Sequence, residues 1–125
     1  MTPETRDLNV KASDATLAVY VTGNIGSGNV MIALHGGPGQ SHHYMRDLEQ
    51  LAGDRFAVVT YDQRGVGGST APPADPTHYD MLDYVEDLEA VRRAMGADQV
   101  HLLGHSWGAL WRCAIPQPIR SEYDR

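Results

Sequence analysis

Three apolar runs in this chain each stop at a segment rich in glycine or charge, and that alternation restricts the fold more than any other feature. Val30-Met31-Ile32-Ala33-Leu34 enters His35-Gly36-Gly37-Pro38-Gly39. Phe56-Ala57-Val58-Val59-Thr60-Tyr61 enters Asp62-Gln63-Arg64-Gly65, and Val100-His101-Leu102-Leu103 enters Gly104-His105-Ser106-Trp107-Gly108. Short continuous apolar runs suit strands buried on both faces. Two helical patterns separate them. Tyr44, Leu48 and Leu51 recur at helical spacing, and Gly53 is expected to end that helix. From Tyr79 to Met95, the residues Leu82, Val85, Leu88 and Val91 mark one face. Glu86, Asp87, Glu89, Arg92 and Arg93 lie largely on the other, and Gly96 is a natural C-cap.

Ahead of these elements, Leu8-Asn9-Val10 and Leu17-Ala18-Val19-Tyr20-Val21 read as a hairpin. A turn-rich stretch follows at 23–29, and a Gly/Pro-rich loop spans Gly65 to Pro76. Two leading strands, then β-α-β-α-β with short connections, predict a three-layer α/β sandwich around a mostly parallel sheet. Active sites in such sheets form beyond the carboxyl ends of the strands. All three glycine-bearing segments fall there.

A chain of 125 residues allows one domain, which buries roughly two-thirds of its unfolded surface. With 42% hydrophobic and 21% charged residues it reads as globular and not disordered. A formal net charge of −6 gives nucleic-acid binding no electrostatic support. No apolar run approaches the length of a membrane span, and Met1 to Asp7 holds no apolar signal core. The single cysteine, Cys113, has no second thiol to pair with or to share a metal cluster. A cytoplasmic location without metal or cofactor is the expectation, and neither nucleic acid nor membrane is an expected partner.

Gly-x-Ser-x-Gly after a strand places a serine on a sharp strand-to-helix turn, which makes Ser106 the candidate nucleophile. Its bland alternative is a serine capping the next helix. Acyl transfer also needs donors for the oxyanion that develops on the carbonyl. The backbone N–H of Trp107 would be one. The second is expected from the loop at 35–39, whose glycines free the backbone to turn N–H groups toward a ligand.

His35-Gly36-Gly37-Pro38-Gly39, Asp62-Gln63-Arg64-Gly65-Val66-Gly67-Gly68-Ser69 and Gly104-His105-Ser106-Trp107-Gly108 resemble the α/β-hydrolase fold, and within it the prolyl aminopeptidase (proline iminopeptidase) family. The likeness runs from about Leu17 to Ala109. It implies Ser106 as nucleophile and Gly37 and Trp107 as oxyanion donors. It also implies release of N-terminal residues, often proline, from small peptides through a Ser-Asp-His triad without a metal. The 62–69 segment is implied to be mainly structural, its acid and arginine tying loops together. Gly68 departs from the pattern, since relatives often carry an arginine or another polar residue there. A fragment is therefore expected: the N-terminal part of the sandwich, truncated after the elbow, lacking cap, triad Asp and triad His. Such a chain is expected to turn over little substrate and to express poorly. A non-catalytic truncated or pseudogene product, or hydrolysis of esters, lactones or other non-peptide substrates, remains open.

None of the six histidines, His35, His42, His43, His78, His101 and His105, falls at the family's base position, and packing or solvent is the expected role of each. Beyond about residue 110 the sequence loses its consistency. Pro116 and Pro118 interrupt the helix that should follow the elbow, and 119–125 shows no core periodicity. A one-base shift near Ala109, with permitted codons, restores an amphipathic helix, so a frameshift is expected and the nucleotide sequence decides it.

Overall fold

The computed structural model describes residues 4–36, 41–70 and 81–105. The leading hairpin comprises β1 (Thr5–Lys11) and β2 (Thr16–Gly23), closed by a turn in which the Ala12 N–H donates to the Ala15 carbonyl at 2.8 Å. A single 3₁₀ turn, Ile25–Ser27, leads to β3 (Val30–Leu34). A ten-residue 3₁₀ helix, His42–Leu51, precedes β4 (Ala57–Tyr61). The α-helix α1 (Met81–Ala94) then leads to β5 (His101–Gly104).

The five strands form one sheet in the order β1-β2-β4-β3-β5. β1, β2 and β4 pair antiparallel, whereas β3 pairs parallel with both β4 and β5. The chain steps from β3 to β4 on one side, then crosses back over β3 to lay down β5 on the other. This reversal opens a crevice at the carboxyl ends of β3 and β5, where open α/β sheets bind ligands.

Side-chain alternation sorts the sheet into two faces. Leu17, Val19, Val21, Val30, Ile32, Leu34, Ala57, Val59 and Tyr61 join Tyr84, Val85, Leu88 and Val91 of α1 in the main core. On the opposite face the His42 ring of the 3₁₀ helix stacks on Tyr20 at 3.7 Å. Helix, sheet and helix thus make the three layers. α1 ends in a Schellman motif: the Gly96 N–H donates to Arg93 and the Ala97 N–H to Arg92, with Gly96 at φ +69°.

Two helical expectations need correction. The segment at 42–51 has three residues per turn, so His42, Met45, Leu48 and Leu51 share one row. His42 and Met45 are buried, whereas Tyr44 and Leu51 are exposed. Gly53 does not cap this helix: the chain turns extended at Ala52, and Gly53 bridges to Phe56. Along α1 and the turn that follows it, the buried face centres on Tyr84, Leu88, Val91 and Met95, at i, i+4, i+7 and i+11. Leu82 lies far round the helix from it and is exposed, whereas Asp87 lies near it and is buried. The expected start of this helix at Tyr79 lies outside the described residues, as does the tail beyond 105. β5 falls one residue later than the apolar run suggests, and among the described strands it forms an edge, with Leu103 exposed. No helix among the described residues is long and apolar enough to cross a membrane.

Candidate active site

The crevice is framed by the residues that leave β3, β4 and β5. His35 leaves β3 and is fully buried beside Gln63, which leaves β4. The Gln63 backbone N–H donates to His35 Nε2 at 2.9 Å, and the Gln63 side-chain amide donates to the His35 carbonyl at 2.8 Å. Because Nε2 accepts, the ring proton sits on Nδ1, which donates to the Gly36 carbonyl at 2.6 Å. Burial holds the His35 pKa below the ordinary imidazole value, so the ring is a neutral fixture. The start of the 35–39 loop is therefore clamped to the neighbouring strand end.

Asp62 secures the far end of that loop. Its Oδ1 accepts from the His42 backbone N–H at 2.8 Å and lies 2.7 Å from the His42 ring Nδ1. Its Oδ2 accepts from the Gly68 N–H at 3.0 Å and from the Tyr20 hydroxyl at 3.2 Å. Burial works to raise the Asp62 pKa, but the Gly68 and His42 N–H bonds outweigh it and hold the carboxyl below its ordinary value. The 64–70 turn closes on the same residue. Ser69 Oγ donates to the Asp62 carbonyl at 2.5 Å and accepts from the Ala18 N–H at 2.9 Å. Gly67, at φ +54°, leaves no room for a side chain, since a Cβ there would lie 2.3 Å from Asp62 Oδ2. At Gly68 a Cβ would come within 3.0 Å of Ala18 Cβ, so the departure from the family pattern accompanies a close approach of two segments.

Arg64 points away from the crevice into the other face. Its Nε and Nη2 donate to the two carboxylate oxygens of Asp87 on α1, and Nη2 also lies 2.8 Å from Asp14 in the β1–β2 turn. Burial opposes the guanidinium charge, yet the bonds to Asp87 and Asp14 outweigh it and raise the Arg64 pKa. Burial also raises Asp87, with Arg64 pulling it down and the nearby Asp14 and Asp83 charges adding to the rise. Asp62 and Arg64 thus tie loops, strand and helix together.

The third strand end is tied differently. The His105 backbone N–H donates to the Leu34 carbonyl at 3.1 Å, continuing the β3–β5 ladder past Gly104. The Tyr44 hydroxyl lies 2.9 Å from His105 Nδ1 and also accepts from the Gly36 N–H. A cleft of about 420 Å³ opens beside this contact, lined in part by Tyr44, Leu48, Leu103 and His105.

Ser106, Trp107 and Gly37 lie outside the described residues, as does His78. The structure describes the residues covalently next to the first and last of the three, His105 and Gly36, and joins them through one hydroxyl. His101 and His43 are exposed, and His42 and His35 are spent on Asp62 and Gln63. Reading the sequence missed Tyr44 as a site residue. It lies sixty-one positions from His105, and no local pattern pairs residues at that distance. Among the described residues, no group of three His, Cys, Asp or Glu is placed to hold a metal ion.

Known proteins resemble this chain in both sequence and fold. A family model described as alpha/beta hydrolase fold matches residues 29–114. The proline iminopeptidase of Clostridium botulinum is 41% identical over 85 residues, covering 68% of this chain and 29% of that protein. The enzyme of that name from Heyndrickxia coagulans is 47% identical over 83 residues, covering 66% of this chain and 28% of the relative. The crystal structure of proline iminopeptidase from Mycobacterium smegmatis superposes with a TM-score of 0.82 at 32% identity, over 94% of this chain and 41% of the other. The chain therefore spans less than a third of the length of these curated relatives.

Proposed function

The chain belongs to the α/β hydrolase fold family, and from that premise we propose a serine hydrolase of the prolyl aminopeptidase type, acting on the N-terminal residue of small peptides, with proline favoured. One observation carries the reading. The winding of the sheet reverses at β3, and the chain leaving β3 toward Gly37 starts beside the chain leaving β5 toward Ser106.

Ser106 Oγ attacks the carbonyl carbon of the scissile amide, and the π electron pair moves onto the oxygen. The backbone N–H groups of Gly37 and Trp107 hold that oxyanion. Collapse of the adduct breaks the C–N bond, the departing amine takes up the proton lost by Ser106, and water later releases the acyl group. The proton needs a base oriented by a third group. In the family that this chain resembles, a histidine and an aspartate supply it, and no histidine of this sequence matches that position. The 125 residues alone are therefore expected to retain at most the small residual advantage of an oxyanion hole and binding. The proposed cytoplasmic location rests on sequence composition alone.

The test is a fluorophosphonate serine probe applied to the purified polypeptide beside a Ser106→Ala control. Labelling that requires Ser106 supports the nucleophile, and hydrolysis of a prolyl amide in preference to an ester then supports the substrate class. A folded, soluble sample that does not label overturns activity for this polypeptide and leaves it a hydrolase in fold only.

A further inference from the structure

We propose that Tyr44 is a positioning residue that locks the segment leaving β3 to the end of β5, its hydroxyl accepting from the Gly36 N–H and donating to His105 Nδ1. The bearing on catalysis rests on Ser106 being the nucleophile, whereas the lock itself rests on described residues.

Donor count fixes the direction of the first bond and allows that of the second. A backbone N–H can only donate, so the Tyr44 oxygen must accept from Gly36. The hydroxyl proton then remains available for the ring nitrogen 2.9 Å away, and the proposed lock assigns it there, with Nδ1 unprotonated to receive it. In the neutral His105 ring the proton accordingly sits on Nε2. The two rings also meet edge to face, with centroids 5.4 Å apart and planes at 63°. Together with the 3.1 Å bond from the His105 N–H to Leu34, this fixes the end of β5 through both backbone and ring.

Packing does not explain Tyr44. It is 45% exposed, in a row of the 3₁₀ helix that neither His42 nor Met45 shares. Its position bears on chemistry because Gly36 and His105 are the residues immediately before the proposed oxyanion donor Gly37 and the nucleophile Ser106. Oxyanion donors act only when held at hydrogen-bond distance from where the charge develops, and small misplacements are costly. A hydroxyl that grips both approaches sets the spacing between them.

Histidine-¹⁵N NMR of the folded protein tests this. The wild-type His105 ring is expected as the Nε2–H tautomer, and Tyr44→Phe is expected to shift its nitrogens toward a tautomer mixture. The Gly36 amide should exchange up to about tenfold faster in that variant, the effect of one hydrogen bond. An Nδ1–H tautomer in the wild type overturns the proposal without any variant, because such a nitrogen cannot accept. Unchanged ring and amide signals in a folded Tyr44→Phe sample overturn it as well. Where the wild type labels with fluorophosphonate, the variant should label more slowly, and an equal rate despite a shifted ring would sink the positioning role. A wild type that never labels overturns activity for this polypeptide and with it the bearing on catalysis, while the ring spectra still decide the lock.

Discussion

Arg64 and Asp87 meet through two parallel hydrogen bonds of 2.7 Å, Nε to Oδ2 and Nη2 to Oδ1, with both side chains withdrawn from solvent. The pair joins the end of β4 to the middle of α1, and Asp14 brings in the β1–β2 turn. Planar guanidinium and carboxylate match in this forked geometry, which lysine could not reproduce.

Breaking the pair from the arginine side should be costly. Arg64→Met leaves Asp87 buried with Asp14 and Asp83 nearby, and the expected loss at neutral pH is about 3–5 kcal/mol. Burial already raises the Asp87 pKa, and removing the cation raises it further. The folded variant therefore binds its proton more readily than the unfolded chain, so the deficit should narrow as pH falls through the carboxylate range. Asp87→Asn should cost less, because Arg64 keeps Asp14 at 2.8 Å. Urea unfolding of wild type and both variants at several pH values checks the order and the sign.

His35 predicts a pH dependence of the opposite slope. Burial depresses its folded pKa, so the unfolded chain binds the proton more readily. The stability it contributes is fully present above the ordinary value of about 6.5 and is lost as pH falls through the depressed folded value. Replacing it by asparagine should flatten this part of the profile and cost about 1–3 kcal/mol for the polar groups of Gln63 left unpaired. Urea midpoints measured across that range would show it, and a His35→Asn profile as steep as the wild type would refute it.

Glycines 67 and 96 should separate backbone strain from steric conflict. Both have positive φ, and an alanine in that region costs roughly 1–2 kcal/mol. At Gly96 a Cβ meets nothing within 4 Å, so that strain is the whole expected cost. At Gly67 the Cβ would lie 2.3 Å from Asp62 Oδ2 and 2.4 Å from its Cγ, displacing the carboxylate that holds His42, Gly68 and Tyr20. Gly67→Ala should therefore lose at least about 1 kcal/mol more than Gly96→Ala, with lost hydrogen bonds making up the difference. Paired denaturation curves read this directly.

What the sequence disclosed, and what it withheld, follows from the range of each interaction. β3 is legible because a strand buried on both faces must be apolar throughout, and Val30–Leu34 is. The strand ends are legible because tight turns and close approaches demand glycine, as at Gly65 and Gly67. The 42–51 segment misleads, since a period of three buries His42 and Met45 where a period of 3.6 favours Tyr44 and Leu48. Asp87 reads as a solvent residue because its partner Arg64 is twenty-three positions away on another element. The Tyr44–His105 contact is invisible for the same reason, and only the crossing of β5 over β3 brings it together.

Thr60 offers a test in which removing a polar atom should help. Its Oγ1 is buried beneath the 3₁₀-helix face of β4 and finds no hydrogen-bond partner among the described residues. Burying a hydroxyl without a partner costs about 1–3 kcal/mol by mutational measures, whereas an apolar group of the same shape carries no such penalty. Valine keeps the β-branch and exchanges the hydroxyl for a methyl, so strand preference is retained. Neighbouring Tyr20 and Ala33 pair with Thr60 across the sheet, and neither needs its hydroxyl, since the Tyr20 hydroxyl already donates to Asp62. Thr60→Val should therefore leave stability unchanged or raise it by up to about 2 kcal/mol. A measurable loss in the urea midpoint would mean that the hydroxyl does find a partner in solution, and a buried water bridging it toward His42 would be the first place to look.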